Sequence, residues 1–470
     1  MKTFVGRSRE LAILDDLLQE ARLGQGVLVS MRGRRQVGKS RLVSEFVDQA
    51  GVPAVFFSAS RQPAMVELAL FAEAARVGGI ATADAIATGA SSWEAALQLA
   101  TSGAKPGSPV IIVIDELPYL AESEPAIEAI LQKVWHSLER RAVLLILIGS
   151  DISMMETLTG YGRPLYGRAR EVVIQPLSVA DVARMHGLGP VAAFDAYLVL
   201  GGFPRLAGRW RAKDTVTAFV RRELADETSP LVVLGERTLT AELPGDLPAR
   251  AVLSAIGAGE RGHGAIMSRS GVGRGNIDKT LGLLIDKRIV ARTTAYAEPA
   301  STNVPRYVIV DPYLRFWLRF AQPAIELIAR GRADLAANQF VEGWGAYRGR
   351  AIEPLVRGSI ERLLPGADFG GAHFVGSFWT KDNRVEVDLV GGREPARAKT
   401  VDFIGSIKWK ERAPFDRDDL VALNAARARV PGAGPKTRLV GVSRSGFGTP
   451  GLDVEIDPAR LLQAWDTLLG

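Results

Sequence analysis

Lys39 and Ser40 close the stretch Gly33-Arg34-Arg35-Gln36-Val37-Gly38-Lys39-Ser40, whose residue types suit a nucleoside triphosphate. Gly33 and Gly38 let the backbone turn so that successive N–H groups face phosphate oxygens. Lys39 reaches the β- and γ-phosphates, and the Ser40 hydroxyl is suited to ligate Mg²⁺. Asp115 and Glu116 lie 76 and 77 positions beyond Lys39. Asp115 at a strand tip can complete the Mg²⁺ shell, and Glu116 beside it is placed to polarise a water. The chemistry this set can do is in-line attack of water on a γ-phosphate, achieved by positioning and charge neutralisation. Ser150 is a candidate γ-phosphate sensor, with capping of a helix by Ser150 or Asp151 as the alternative. Arg168, in the loop Arg163-Pro-Leu-Tyr-Gly167-Arg168, is a candidate arginine finger.

These residues need an open α/β sheet to position them. The apolar run Gly26–Met31 reads as a buried strand before the loop. Arg41-Leu-Val-Ser-Glu-Phe-Val reads as the helix after it, whose N-terminus adds unpaired donors for anions. Val52–Phe57, Val110–Ile114, Ala142–Ile148 and Glu171–Ile174 read as further strands. Asp115 would then stand at a strand's carboxyl end, where open α/β sheets bind ligands. Helices are expected over 10–23, 64–75, 91–100 and 128–140. Val5-Gly6-Arg7 precedes the first of them and is a candidate cover for the adenine; packing of that helix on the sheet explains it equally well. Residues 178–240 read as mostly helical, interrupted by Gly201-Gly202-Phe203-Pro204, which either ends a helix or moves with phosphate state in a lid. No Asn/Thr-Lys-x-Asp guanine signature is present, which favours ATP over GTP.

Val5-Gly6-Arg7, Gly33 to Ser40, Asp115-Glu116, Gly149-Ser150 and Gly201-Gly202-x-Pro204 occur in the order seen in the predominantly archaeal AAA+/STAND-type P-loop ATPases, which the chain resembles. The resemblance implies an α/β multidomain fold. Its parts would be a P-loop NTPase core with a parallel sheet (1–177), a helical lid (178–245), a winged helix-turn-helix (246–312) and a C-terminal restriction-endonuclease-like α/β domain of the PD-(D/E)xK type (313–470). It adds Arg34, Arg35, Gln36, Val37, Arg41, Val5, Gly6, Arg7 and Pro204 to the candidate ATP-binding residues.

The middle part is legible independently. Helices at 247–257, 265–270 and 276–287, then strands at 290–296 and 306–310 joined by a Pro/Ser/Asn loop, follow winged-helix order. Residues 249–310 hold nine Lys and Arg against four Asp and Glu, +5 of the chain's +6. Arg274, Asn276 and Lys279 at the third helix, with Arg292 and Arg306 on the wing, are candidate contacts to double-stranded DNA. Docking to a protein is the alternative. The aromatics Tyr313, Phe316, Trp317 and Phe320 have helical spacing and suit a buried face.

A PD-(D/E)xK site needs two acids and a lysine converging on Mg²⁺. Glu353, Asp388 and Lys408 match, and Glu386 shares a strand face with Asp388. One position departs: the acid expected two residues before Lys408 is Ser406, a poor Mg²⁺ ligand. Either Glu386 takes the role or the domain keeps its fold without the chemistry.

The chain has 470 residues, 47% hydrophobic and 23% charged, and no cysteine, which excludes disulfides, cysteine–zinc sites and thiol catalysis. Its apolar runs are too short to cross a bilayer, and its first residues lack a signal peptide's apolar core. The expectation is a cytoplasmic ATPase with ATP and Mg²⁺ as cofactors, acting as a nucleotide-dependent switch or motor on DNA. The alternatives are a signalling scaffold with a protein partner or homo-oligomer, and an ATP-gated nuclease.

Overall fold

The computed structural model describes residues 5–296, 304–394 and 400–466, apart from the side chains of residues 152, 153 and 159. The Pro/Ser/Asn loop at 297–303 and the end of the expected C-terminal helix lie outside the described residues. The chain divides into two compact units, Met1–Pro176 and Leu177–Gly470.

The first unit is built on five parallel strands: β1 (Val27–Arg32), β2 (Ala54–Ser58), β3 (Val110–Asp115), β4 (Val143–Gly149) and β5 (Ala169–Val173). Their order is β2-β3-β4-β1-β5. Every residue of β3 and β4 is buried, because helices cover both faces of a parallel sheet and its central strands then read as unbroken apolar runs. Leu68, Phe71, Trp93 and Leu97 cover these strands from the helices Ala64–Val77 and Trp93–Ala100. A further helix, Ala83–Gly89, was not anticipated from the sequence; it has only seven residues and buries just Ala83 and Ile86. The strand order places β4 between β1 and β3. The chain leaving β1, the end of β3 and the tip of β4 therefore meet at one carboxyl edge.

The second unit begins with the helices Val179–His186, Pro190–Leu200, Pro204–Ala207, Val216–Leu224 and Pro230–Glu242. Three more helices follow, Leu247–Gly257, His263–Ser270 and Arg274–Asp286, then an antiparallel hairpin of β6 (Val290–Thr293) and β7 (Arg306–Ile309). A bridge from Gly262 to Arg306 adds a third short edge. The aromatic run is buried, as expected: Tyr313, Phe316, Trp317 and Phe320 are each at most 8% exposed. Trp317 Nε1 donates to Val232 O at 2.7 Å, and its ring fills the notch left by Gly235. A π-helical turn at Trp317–Ala321 carries this run into Gln322–Ala329.

The remaining sheet has the order β12-β11-β10-β9-β8, from β8 (Phe374–Trp379), β9 (Glu386–Gly392), β10 (Phe403–Lys408), β11 (Arg438–Ser443) and β12 (Val454–Ile456). The pairs β8–β9 and β9–β10 are antiparallel, whereas β10–β11 and β11–β12 are parallel. The helices Ala333–Ala351, Glu353–Leu363, Arg417–Arg427 and Pro458–Gln463 accompany it.

Candidate functional site

The loop after β1 has the backbone of an anion cradle. Gln36 (φ 66) and Gly38 (φ 93) are left-handed, and Gly38 opens the helix Lys39–Ala50 without a side-chain cap. Its first N–H groups thus point toward the loop. A left-handed glutamine is a strained choice, of the kind that persists at ligand sites. Gly33 is required by space: a Cβ there would stand 2.3 Å from Ile174 O. Lys39 is 6% exposed, and its Nζ donates to Gly33 O at 2.6 Å and Arg34 O at 3.0 Å, so the ammonium lies inside the cradle.

Asp115 and Ser40 are neighbours, the hydroxyl close enough to bear on the carboxyl's ionisation. Burial raises the Asp115 carboxyl above the usual carboxylate range. The Ser40 hydroxyl draws it back, neighbouring Glu116 raises it further, and the Glu116 N–H (3.0 Å) and Lys39 lower it. A buried carboxylate next to a hydroxyl, with a second acid beside it, is a donor set that would suit a hard divalent cation. Glu116 itself is left-handed (φ 54), which turns its side chain across the tip of β4. There Ser150 Oγ donates to Glu116 Oε2 at 2.8 Å. The capping alternative goes to the neighbour: Asp151 accepts from Met154 N and caps the helix Ile152–Thr159.

Arg7 is buried and left-handed (φ 68). Its guanidinium bonds Glu10, Val37 O (2.9 Å) and Gln175 O (2.6 Å), so it braces the cradle from behind. Val5 and Gly6 lead into it. Arg168 is exposed and turns back to Pro164 O of its own loop. Pro204 is the first residue of a short helix in the second unit; Gly201 and Gly202 before it are left-handed and closely packed against Tyr313 and Leu177 O. Sequence reasoning missed Tyr119, which lies between Arg35 (Nη1 to Oη, 2.8 Å) and Arg61 (3.9 Å above the ring). Its place one helical turn after Glu116 was the only available signal.

Parts of this chain are similar to known proteins. Residues 4–190 match an ATPase domain found predominantly in Archaea. Residues 317–422 match a family described as "Archaea bacterial proteins of unknown function". An uncharacterized protein of Methanocaldococcus jannaschii is 24% identical over 424 residues, covering 88% of this chain and 89% of its own. Among solved structures, the ORC2 protein of Aeropyrum pernix in ADPNP–ADP complexes is 12% identical with a TM-score of 0.42. The ORC1 protein of the same organism in complex with DNA is 17% identical with a TM-score of 0.33. Each of these two matches covers 70% of this chain and 95% of the other. The five parallel strands and the cradle of the first unit all fall inside the ATPase-domain match.

In the second unit, Glu353, Glu386, Asp388 and Lys408 line one cleft of about 540 Å³, together with Ser406. Ser406 Oγ donates to Asp388 Oδ2 at 3.2 Å, and Ile407 N donates to the same oxygen at 2.7 Å. Burial raises the Asp388 and Glu353 carboxyls above their ordinary values, against the pull of the Ile407 N–H and Lys408 on the first and of Arg261 and Arg357 on the second. Lys408 Nζ pairs with Asp419 at 2.9 Å. Arg306 joins Glu386 at 2.5 Å and lies 4.3 Å above the Trp379 ring. Arg261 stands between Glu353 (3.7 Å) and Glu386 (3.6 Å). Among the described residues, no three His, Asp or Glu converge as a metal site. Arg274, Asn276, Lys279 and Arg292 are exposed. Arg306 is the exception among the five candidate DNA contacts.

Proposed function

We propose that the chain hydrolyses ATP and uses the ATP-to-ADP change to switch its hold on double-stranded DNA. The observation that carries the first half is the Ser150–Glu116 hydrogen bond beside Lys39, Ser40 and Asp115. It aims a carboxylate from between two strand tips at the cradle, as a water-positioning group requires. Lys39 and the loop N–H groups hold the β- and γ-phosphates, and Arg7 keeps the loop in shape. Ser40 and Asp115 are the residues that would hold Mg²⁺, which when bound neutralises charge on the phosphates. Glu116 orients the attacking water and accepts its proton, while Ser150 fixes the carboxylate's direction. The Lys39→Ala chain is expected to lose ATP binding in equilibrium dialysis. Unchanged affinity would remove the assignment at its root.

The second half rests on the helix Arg274–Asp286 and its exposed Arg274, Asn276 and Lys279. We read residues 246–312 as a winged helix between a helical lid (178–245) and a PD-(D/E)xK-like domain (313–470). In the last of these the candidate acids do not fit Mg²⁺. Glu353 and Glu386 face guanidinium groups, and one oxygen of Asp388 is taken up by Ser406 and a backbone N–H. No cleavage step follows from such a set.

A further inference from the structure

The cleft of the second unit continues past the candidate acids into a lobe of about 490 Å³. Arg261, Arg306, Arg350, Glu353 and Glu386 line both parts. Among the described residues, Arg261, Arg306, Arg315, Arg319, Arg350 and Arg357 share this lobe with two acids, Glu353 and Glu386. Arg306 is taken up by Glu386. Arg315 is tied to the carbonyls of Ile309 and Ala351, and Arg357 to Asp388 O. Burial, with mutual repulsion from Arg261, disfavours the charge on both Arg315 and Arg357. Glu353, the other acid, is itself pushed toward its neutral form by burial. The cluster is thus short of negative charge.

Three groups remain to meet it. Arg350 is exposed and makes no hydrogen bond or ion pair among the described residues; Arg319 is exposed and only overlies Phe320, at 5.5 Å. Tyr347 is among the residues that line the same lobe, and its hydroxyl is buried without a hydrogen-bond partner among the described residues. A buried unpaired hydroxyl beside under-neutralised guanidinium groups is costly unless an acceptor oxygen joins them. Arginine forks match phosphate geometry, and the lobe's volume is that of a small-molecule pocket.

We propose that this lobe binds a small phosphorylated ligand of about mononucleotide size, without a metal ion, through Arg319, Arg350 and Tyr347. The experiment uses the full chain carrying Lys39→Ala, so that nucleotide bound here is separated from nucleotide in the first-unit cradle. ADP and inorganic pyrophosphate are titrated calorimetrically in EDTA. One saturable site per chain is expected for at least one of them. Arg319→Ala with Arg350→Ala weakens it about tenfold or more, the effect of losing charge-assisted hydrogen bonds. Tyr347→Phe, which keeps the ring, weakens it severalfold. Both arginines are exposed, so an unchanged melting curve confirms that the double variant is folded. Absence of saturable binding by both probes overturns the proposal, as does an affinity indifferent to the arginine changes. Binding of a single-stranded oligonucleotide alone, with neither small probe bound, also overturns it. ATP turnover by the parent chain is measured separately, so failure here leaves the hydrolysis reading intact.

Discussion

The Ser150 hydroxyl donates to Glu116, and the role proposed for it rests on that bond. Replacing it by alanine leaves the cradle and Lys39 untouched but frees the Glu116 carboxylate. The expected result is a kcat lower by about tenfold to a hundredfold, the worth of a hydrogen bond to a charged group, with ATP affinity kept. Single-turnover kinetics and nucleotide titration together check this; a loss of affinity at constant kcat would contradict it. Asp115 makes a pH prediction. Its carboxyl is raised by burial, so the ionised form suited to Mg²⁺ is lost at a higher pH than for an ordinary carboxylate. Turnover should fall on acidification from that higher pH. The stability effect has the opposite sign: a raised folded-state value favours the folded chain below the unfolded-state pKa, and this increment is lost as pH rises through the folded value. A pH–rate profile beside denaturant midpoints over the same range tests both signs.

At the scale of elements, the chemistry depends on strand order more than on any one strand. The sequence displayed β1, β3 and β4 as apolar runs, because a parallel sheet covered on both faces leaves no alternation to confuse them. Their adjacency, with β4 between the other two, is a property of long-range pairing and was not legible. The second unit was harder to read. Strand β8 escaped notice because its burial runs from exposed through half-buried to buried along its length and it includes Gly376 and Ser377, so neither alternation nor a continuous run marks it. The burial of Trp317 was expected from spacing, but its socket was not. Gly235 lies in the middle of the helix Pro230–Glu242, where glycine is normally unfavourable, and a Cβ there would stand 2.0 Å from the indole. Gly235→Ala should therefore cost about 1–3 kcal/mol or more through overpacking, despite alanine's better helix propensity. Chemical denaturation that showed stabilisation instead would mean the indole has room to move.

Across the whole molecule, the net charge of +6 is concentrated, and the structure divides it further. Of the nine cations in residues 249–310, Arg250, Arg261, Arg269 and Arg306 pair with acids inside the second unit. Arg274, Lys279, Arg288 and Arg292 are exposed on the three-helix segment and its hairpin, as is Arg269 despite its pair with Glu260. Counting charges along the sequence located the basic segment correctly, but could not tell the cations that face solvent from those turned onto the C-terminal sheet. The acids of that sheet were legible one by one, since spacing and strand alternation find them. Their pairing with Arg261 and Arg306 was not, because those arginines come from loop and hairpin positions far away in sequence. Duplex binding should reflect the exposed set only. Arg274→Ala with Lys279→Ala is expected to weaken it and to reduce the slope of log affinity against log salt by about 1 for each phosphate no longer neutralised. Arg306→Ala should leave that slope unchanged. A slope that responds to Arg306 and ignores Arg274 would place the duplex elsewhere.

Arg7 acquires a further meaning from where its three bonds end. Glu10 belongs to the first helix, Val37 to the phosphate cradle, and Gln175 stands two residues before the second unit begins. In mechanical terms the guanidinium is a rigid crank pinned at three joints. Under the proposed switch, a displacement of the Val37 carbonyl, small enough to leave every strand in register, would be passed to the segment where the chain exits the first unit. One nitrogen makes this possible, because Nη2 donates to both the Val37 and the Gln175 carbonyls. Under the switch proposed above, a shift of the loop would reach the chain's exit from the first unit through this one side chain, without deformation of the sheet.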